Sequence, residues 1–465
     1  MDNQELTNEE KTLEETARDR QYNKMVNTPI PKLVSTLAVP TIISMMVTNI
    51  YNLVDTAFVG KLGNSANAAV GIVFGFMSIL QAVGFLFGQG SGSLVSRKLG
   101  EKKNDEASVV ASLGFISSFS CAIVLAVVCG LFLNRLVFWL GSTTTIAPYA
   151  KTYIFWIILA APFIVSSFTL NNILRYEGKA ILGMIGLLTG GVINIAGDAL
   201  LMFGLNLGIA GAGISTAVSQ FISFCILLSM FLMGKTSSKI SFKYLSSASF
   251  KLFTEIVSIG FPSLLRQILN SFTTVILNNK AGFYSDEAVA AMSNVSRLAF
   301  FTFSIGLGIG QGFQPVSAFN FGAGKYSRVK QAYHFTWTLA TIILAVIGTV
   351  IVISPRMFLR ILNPDATVVE IGTRALRLLT ISQLTLPVSV TTEMMCQSTG
   401  KKIPATIMSG MRNGFIFIPA LIILASLRGL NGIQEAQPIA QVLSIIPAIF
   451  IAIWFFKELP EEKES

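Results

Sequence analysis

Charged residues are scarce in this chain: Asp, Glu, Lys and Arg make up only 12% of its 465 residues. A soluble globular domain carries about 25% charged residues, so this sequence has too little polar surface to cover a water-facing protein. Hydrophobic residues account for 52% of the chain. Most of the protein surface is therefore expected to face lipid.

Cysteine and histidine are also rare, and this excludes several kinds of chemistry. The four cysteines lie in apolar stretches at unpaired spacings, so we interpret them as small buried hydrophobic residues without a redox role. The single histidine, His334, can form neither a proton relay nor a metal site by itself. We predict a protein that is not an enzyme, has no catalytic residues and needs no cofactor.

The sequence also lacks a phosphate-binding loop. Its glycine-rich segment, Gly88-Gln-Gly-Ser-Gly-Ser, does not end in Gly-Lys-Ser/Thr, so ATP is not the expected energy source. Glycines of this kind are better suited to close packing between membrane helices. The net charge of +10 does not indicate a nucleic-acid partner, because it reflects basic residues concentrated in loops.

What the sequence does contain is twelve long apolar stretches, each close to the length of about 20 residues that crosses a bilayer. They span residues 33–60, 66–96, 107–133, 149–174, 181–204, 208–233, 252–279, 287–318, 329–353, 370–397, 403–426 and 435–456. The fold class predicted from them is an all-α membrane protein with twelve transmembrane helices.

The two halves of the chain are copies of each other. A shift of 222 residues, without gaps, aligns Pro40 with Pro262, Gly88-Gln89-Gly90 with Gly310-Gln311-Gly312, and Gly178-Lys179 with Gly400-Lys401. Because six helices per half is an even number, both halves enter the membrane from the same side and form parallel repeats. The predicted domains are a cytoplasmic tail (1–32), a six-helix lobe (33–233), a cytoplasmic linker (234–251), a second six-helix lobe (252–457) and a tail (458–465).

The loops differ strongly in basic residues. Assigning alternate loops to one side places 22 of the 34 Lys and Arg residues there, together with both ends of the chain. By the positive-inside rule both termini are predicted to be cytoplasmic, in a multi-pass protein of the inner membrane whose partner is the lipid bilayer.

Two aspartates inside the apolar stretches carry most of the functional information, because ionisable groups in a bilayer are costly and usually serve transport, proton handling or ion pairing. Asp55 and Asp198 are predicted to lie at similar depth in the outer half of the membrane, where they could share one cavity. Asn194 precedes Asp198 by four residues and lies on the same helical face. Tyr153 and Thr216 reach the same depth from neighbouring stretches.

Each of these residues also has a simpler interpretation. Tyr153 could belong to an aromatic belt, Thr216 could serve helix packing, and the aspartates could form ion pairs with arginine. The basic residues within the apolar stretches all fall in the second half, at Arg266, Arg297, Arg374, Arg377 and Arg412. Glu255 and Glu393, near cytoplasmic ends of helices, are expected to have ordinary structural roles.

Residues 52–63, Asn-Leu-Val-Asp-Thr-Ala-Phe-Val-Gly-Lys-Leu-Gly, resemble the first-helix signature of the multidrug and toxic compound extrusion (MATE) family, in particular its DinF-type branch. Residues 308–325 form a similarly distinctive counterpart in the second half. The resemblance covers residues 30–457. It implies a cation-coupling site in the first lobe, at Asp55, Tyr153, Asn194, Asp198 and Thr216.

The resemblance also implies that the first helix bends at Pro40, which couples this site to drug release; a fixed structural kink is the alternative. The chain departs from the sodium-coupled branch, which carries an acid soon after the proline of helix 7. Here Pro262 is followed by Ser-Leu-Leu-Arg266-Gln267, so no cation site is expected in the second lobe. Protons are favoured as the coupling ion, with Na+ at Asp55, Asn194, Asp198 and Thr216 as the alternative.

The expected function is that of a monomeric multidrug efflux antiporter, which exports amphipathic, often cationic, drug-like compounds in exchange for inward H+ or Na+. Its cavity is predicted to be lined by methionines, at positions 184, 202, 292 and 394. One rival is a lipid-linked flippase of the same superfamily, which should have a more basic central cavity and extra helices, and the sequence indicates neither. Another is a non-transporting membrane receptor or scaffold.

Overall fold

A computed structural model of the chain describes residues 16, 18–460 and 462, whose regular secondary structure consists of helices alone. The first lobe contains α1 (Ile30–Gly60), α2 (Asn64–Gly100), α3 (Asn104–Leu131), α4 (Ala147–Tyr176), α5 (Ala180–Gly204) and α6 (Gly208–Leu232). The second contains α7 (Phe250–Gly282), α8 (Asp286–Gly322), α9 (Tyr326–Ile353), α10 (Ala366–Ser382, continued as Leu386–Ser398), α11 (Lys402–Arg428) and α12 (Leu430–Lys457).

Eleven of these helices are individually long and apolar enough to cross a membrane. The exception is α10, which a short 3-10 turn at Gln383–Thr385 divides into two shorter segments. The turn lies just before Pro387, whose ring nitrogen has no hydrogen to donate to the preceding turn of helix. The predicted all-α fold with twelve membrane helices is confirmed, and α10 is a span with a break in the middle.

The internal repeat is confirmed at the level of single residues. Helix α2 begins at residue 64 and α8 at residue 286, while α3 begins at residue 104 and α9 at residue 326, which is a difference of 222 in both cases. Gly178 and Gly400 end equivalent helices with φ of +78° and +81°. A side chain at either position would strain this turn, because L-residues rarely adopt positive φ.

Three apolar clusters show how the lobes are arranged. One cluster joins the lobes and includes Leu94 and Val95 from the first lobe with Ile256 and Phe313 from the second. The other two clusters each lie within a single lobe, one running from Val59 to Ala212 and the other from Leu277 to Ala440. The lobes are therefore packed together at one end of the bundle and have separate cores at the other.

Glycines make the close contact between the lobes possible. A Cβ atom on Gly260 of α7 would lie 1.8 Å from the carbonyl oxygen of Leu86, and one on Gly90 of α2 would lie 2.1 Å from that of Ile256. A Cβ atom on Gly322 of α8 would likewise lie 2.2 Å from the carbonyl oxygen of Arg97. Any larger residue would force the helix backbones apart, so these glycines serve the close packing expected from the sequence.

The described part of the N-terminal tail touches both lobes. Residues 18–27 form a helix in which Gln21 Nε2 donates to the carbonyl of Glu177, 2.7 Å away, and the carbonyl of Met25 accepts from Asn320 Nδ2 at 3.3 Å. The first contact is with the α4–α5 turn and the second with α8. The rest of the predicted tails, residues 1–15, 17, 461 and 463–465, lies outside the described residues.

The cysteines are less uniform than predicted. All four are free; Cys129 and Cys396 are buried, whereas Cys121 and Cys225 are exposed on membrane helices. The prediction of burial is wrong for these two, because a helix that faces lipid is apolar on its outer side as well as its inner side.

Candidate cation-coupling site and inter-lobe cavity

The fold brings all five predicted coupling residues together inside the first lobe. Asp55 comes from α1, Tyr153 from α4, Asn194 and Asp198 from α5, and Thr216 from α6. Every one of them is buried, and Asp198 and Tyr153 have no exposed surface. The simpler interpretation of Tyr153 as an aromatic-belt residue is therefore wrong, because its ring lies in the interior of the lobe.

Hydrogen bonds connect these residues in two groups. Tyr153 Oη donates to Asp55 Oδ2 at 3.3 Å, and Asn194 Nδ2 lies 3.3 Å from Thr216 Oγ1. The carboxyl groups of Asp55 and Asp198 lie close enough to interact directly. The same five positions thus form one continuous polar cluster surrounded by apolar helices.

Ser215 is a member of this cluster that sequence reasoning missed. Its Oγ donates to the carbonyl oxygen of Asn194 at 2.9 Å and accepts from Asn194 Nδ2 at 3.4 Å. The signal was its position directly before Thr216, since two adjacent hydroxyl residues in an apolar helix point to neighbouring faces. Ser215 fixes the position of α5 at Asn194, one helical turn before Asp198.

Several oxygen atoms at the centre of the cluster accept no hydrogen bond from any residue that the structure describes. They are Asp55 Oδ1, Asn194 Oδ1 and both carboxylate oxygens of Asp198. A buried oxygen without a donor is unfavourable by about 1–3 kcal/mol, and more when it is charged. A proton or a small cation shared by these oxygens would remove this penalty. No third acidic, His or Cys side chain joins them within the described part of the chain.

The helix carrying Asp198 changes its winding at this residue. The α-helical part of α5 ends at Asp198, and the next residues, Ala199–Gly204, form a π-helical turn. Such turns are rare and occur frequently at functional sites, because the wider winding frees backbone groups and reorients side chains. Asp198 is therefore located at an irregular and adjustable point of the lobe.

Pro40 is buried within α1, which continues through it as a single helix. Two hydroxyl groups near it donate to helix carbonyls, Thr41 Oγ1 to Leu37 at 2.8 Å and Ser44 Oγ to Pro40 at 2.9 Å. On either side of the proline, α8 approaches closely through Gly308 and Gly312. Pro40 thus lies where the first lobe contacts the second.

A separate cavity lies between the lobes and encloses about 880 Å³, including its open side. Aromatic rings line it from both lobes, among them Phe85, Phe168, Phe300 and Phe303. Hydrogen bonds also cross it, since Gln267 Nε2 donates to Gln81 Oε1 at 3.1 Å and Asn49 Nδ2 donates to Ser304 Oγ at 3.2 Å. These residues describe a broad and mainly apolar cavity with polar groups at intervals.

The predicted methionine lining of the cavity is wrong. Met202, Met292 and Met394 are buried in the apolar cores and Met184 is not part of the lining; among the described residues, Met45 of α1 is the one methionine that lines the cavity. A membrane helix is apolar around its whole circumference, so composition does not indicate which face of each helix points to the cavity.

The charge of the cavity also differs from the expectation. Arg175, assigned from sequence to a cytoplasmic loop, is buried in α4 and lines the cavity together with Arg266 of α7. No Asp or Glu is among the described residues that line it. The prediction that basic groups are missing from the centre of the molecule is therefore wrong.

Glu393 is also not at a solvent-accessible helix end. It is 2% exposed, forms an ion pair with Arg266, and accepts a hydrogen bond from Ser409 Oγ at 2.7 Å. The segment after Pro262 contains no acid, as the sequence shows, but the fold brings the carboxylate of Glu393 from α10 to Arg266. In this arrangement the arginine already neutralises the carboxylate.

A bundle of twelve membrane helices in two repeated lobes, with buried carboxylates in one lobe and a cavity between the two, has the architecture of a secondary transporter. The MatE family profile matches residues 40–200 and 262–423, one match in each lobe. The chain therefore belongs to the MatE family of multi-pass membrane transporters and is not an enzyme or a passive scaffold.

Individual relatives match over almost the whole chain. Multidrug export protein MepA of Staphylococcus haemolyticus is 29% identical, with 96% of this chain and 99% of the relative covered. MepA of Staphylococcus aureus strain NCTC 8325 is 28% identical, with 93% and 96% covered. The solved structure of an outward-facing multidrug resistance MATE family transporter superposes on this chain with a TM-score of 0.89 at 22% identity. The superposition covers 95% of this chain and 98% of that structure, so the two proteins share a fold.

Proposed function

We propose that this protein is a multidrug efflux antiporter that exports amphipathic compounds, organic cations among them, in exchange for inward H+ by alternating access. The observation that carries the proposal is the buried pair Asp55 and Asp198 in a transporter of this family, because Asp55 Oδ1 and both carboxylate oxygens of Asp198 accept no hydrogen bond from the described residues. The relatives named multidrug export proteins support the substrate class.

The coupling follows from the chemistry of two nearby carboxyl groups in an apolar lobe. Two neighbouring negative charges in a low dielectric repel each other and are poorly solvated, so the pair favours a shared proton. When the proton leaves, the lobe carries full negative charge and attracts a cationic substrate. When a proton returns from outside, that attraction weakens and the substrate is released. The proton thus shifts the balance between the two states of the transporter.

Na+ is the alternative ion, because Asp55, Asn194, Asp198 and Thr216 supply oxygen atoms of the kind that alkali and alkaline-earth cations prefer. Glu393, the one fully buried acid among the described residues of the second lobe, offers no free negative charge to such an ion, since Arg266 neutralises it. Protons need only the carboxyl pair, which favours H+ here.

The remaining features complete the proposal. The protein is a monomer of the DinF-type branch in the inner membrane, with both termini cytoplasmic, as the basic loops indicate. The lobes then close at their cytoplasmic end, where Gly90 and Gly260 lie. Pro40, which lies where α1 contacts Gly308 and Gly312 of α8, acts as the hinge through which protonation of Asp55 reaches the inter-lobe cavity.

A second candidate function is favoured by one specific observation. Arg175 and Arg266 line the central cavity, and a basic central cavity is what a flippase for lipid-linked substrates needs, because its cargo carries phosphate groups. The two functions differ in cargo and not in fold.

The antiport proposal is tested with purified protein in liposomes containing a fluorescent cationic dye. We expect an imposed pH gradient, without sodium, to drive dye uphill, and a sodium gradient at constant pH to drive less. If only sodium is effective, the ion assignment is wrong although antiport remains. If neither gradient moves dye, the efflux proposal itself fails.

A further inference from the structure

Arg175 has an unusual environment for a charged group. It is 4% exposed, its guanidinium donates hydrogen bonds to the neutral amide side chains of Gln311 and Asn172, and it lies 5.7 Å from the ring centroid of Tyr176. The Asn172 Oδ1 contact is 2.5 Å long. No carboxylate among the described residues pairs with it. Burying a charge without a counter-charge is costly, so some other group is expected to compensate it.

Two hydrogen-bond donors of this pair remain unused. Neither Arg175 Nε nor Gln311 Nε2 has an acceptor among the described residues, although both are buried. Arg175 and Gln311 both line the inter-lobe cavity, and they come from different lobes. The cavity therefore presents one positive charge and two free donors at the place where α4 meets α8.

Neighbouring charges strengthen this preference for an anion. Arg266 lines the same cavity as Arg175, and the guanidinium of Arg412 lies 4.8 Å from the ring centroid of Phe303, which also lines the cavity. Among the described residues, Arg175, Arg266 and Arg412 are all buried, and the one carboxylate that forms an ion pair with any of them is that of Glu393, with Arg266. The surplus of charge around the cavity is positive, in contrast to the surplus at Asp55 and Asp198.

We propose that the inter-lobe cavity binds amphipathic compounds through an oxyanion, a carboxylate or a phosphate, held by Arg175 and Gln311 while the aromatic lining holds the apolar body. The unused donors Arg175 Nε and Gln311 Nε2 can each donate a hydrogen bond to the oxyanion, and the guanidinium supplies the compensating positive charge. The substrate range then includes amphipathic anions and zwitterions besides cations. This inference rests on the proposed transport function, because it treats the cavity as part of the substrate path.

The test is equilibrium binding to the purified wild-type protein with three matched probes: pyrenebutyrate, its uncharged methyl ester, and a pyrenylbutyl trimethylammonium cation. We expect pyrenebutyrate to bind most tightly of the three. Arg175→Gln should weaken its binding about tenfold or more, the usual scale for a charge-assisted hydrogen bond, and should change binding of the cation less than about twofold. Arg175→Lys should lie between wild type and Arg175→Gln.

A second variant keeps the test decisive if Arg175→Gln folds poorly. Gln311→Glu changes one atom group and places a carboxylate beside Arg175, so we expect it to weaken pyrenebutyrate binding and strengthen cation binding. Arg135→Gln, at an exposed arginine between α3 and α4 that does not line the cavity, is the matched control and should alter none of the three. Equal losses for all three probes, or tighter binding of the cation to wild type, would overturn the proposal.

Competition separates the two sources of oxyanion. If dioctanoyl phosphatidylglycerol displaces pyrenebutyrate and dioctanoyl phosphatidylcholine does not, the cavity takes an anionic lipid headgroup. If neither lipid displaces it, the cavity takes small carboxylates. Binding is measured without any ion gradient, so its outcome is independent of whether a pH gradient drives dye in liposomes.

Discussion

Asp55→Asn and Asp198→Asn are each expected to reduce pH-driven dye transport about 100-fold, toward background, because an amide can neither exchange a proton nor provide full negative charge. Coupling between a ligand and a conformational state is typically worth about 5- to 150-fold, and each aspartate contributes to the only carboxyl pair proposed for coupling. The measurement is dye accumulation in proteoliposomes at equal protein content. Folding is checked by the size-exclusion elution profile of the detergent-solubilised protein.

The structure determines which acid is the proper control. Glu393 is unsuitable, because its loss would leave Arg266 buried without a counter-charge, which is strongly destabilising. Asp105 is exposed in the first turn of α3, so its change to Asn should have little consequence. The Asp105→Asn protein should transport dye normally. Normal transport by either Asp55→Asn or Asp198→Asn would remove the proposed coupling site.

Gly260→Ala is expected to reduce transport at least about tenfold while leaving the first-lobe acids untouched. The new methyl group would lie 1.8 Å from the carbonyl oxygen of Leu86. Both groups belong to helix backbones, so this clash is relieved only if the lobes separate. Overpacking of this kind costs about 1–3 kcal/mol, or roughly a tenfold to hundredfold change in the population of the closed arrangement.

The closed arrangement can be measured directly through Arg97 of α2 and Glu255 of α7, whose side chains approach to 3.9 Å across the lobes. Cysteines at these two positions, in a background lacking the native cysteines, should be joined efficiently by a short thiol crosslinker. Adding Gly260→Ala should reduce the yield. Gly71→Ala, on the same α2 helix but with no atom near the new methyl group, should reduce neither yield nor transport. Unchanged crosslinking in Gly260→Ala would refute the role of this glycine in closure.

Much of the fold was predictable because membrane helices are recognisable in a sequence by their length and apolar character. The 222-residue repeat then determined the lobes, since Gly90 and Gly312, or Gly178 and Gly400, mark equivalent places in each. The grouping of the five polar residues proposed for coupling was predictable for a related reason. A carboxylate such as Asp198 inside an apolar stretch has few interpretations, and depth along the helix indicates which polar residues lie beside it.

The inter-lobe cavity was less predictable, and its residues show why. Arg175 lies near the end of α4, next to the basic loop residues from which membrane orientation is predicted. Its burial depends on contact with Gln311, which is 136 positions away and cannot be inferred from the local sequence. Glu393 depends on Arg266, 127 positions away. Helix rotation about its axis determines which side chains face the cavity, and an evenly apolar helix carries no record of that rotation.

The central claim is that substrate and proton compete through Asp55 and Asp198, and proton release on substrate binding tests it most directly. Purified protein in weakly buffered, sodium-free detergent solution is mixed with a saturating cationic dye while the pH is recorded. The account predicts that wild type releases protons and that Asp55→Asn/Asp198→Asn releases none, although Asp105→Asn behaves like wild type. Proton release that persists in the double variant, or dye binding by wild type with no release at any pH, would contradict it.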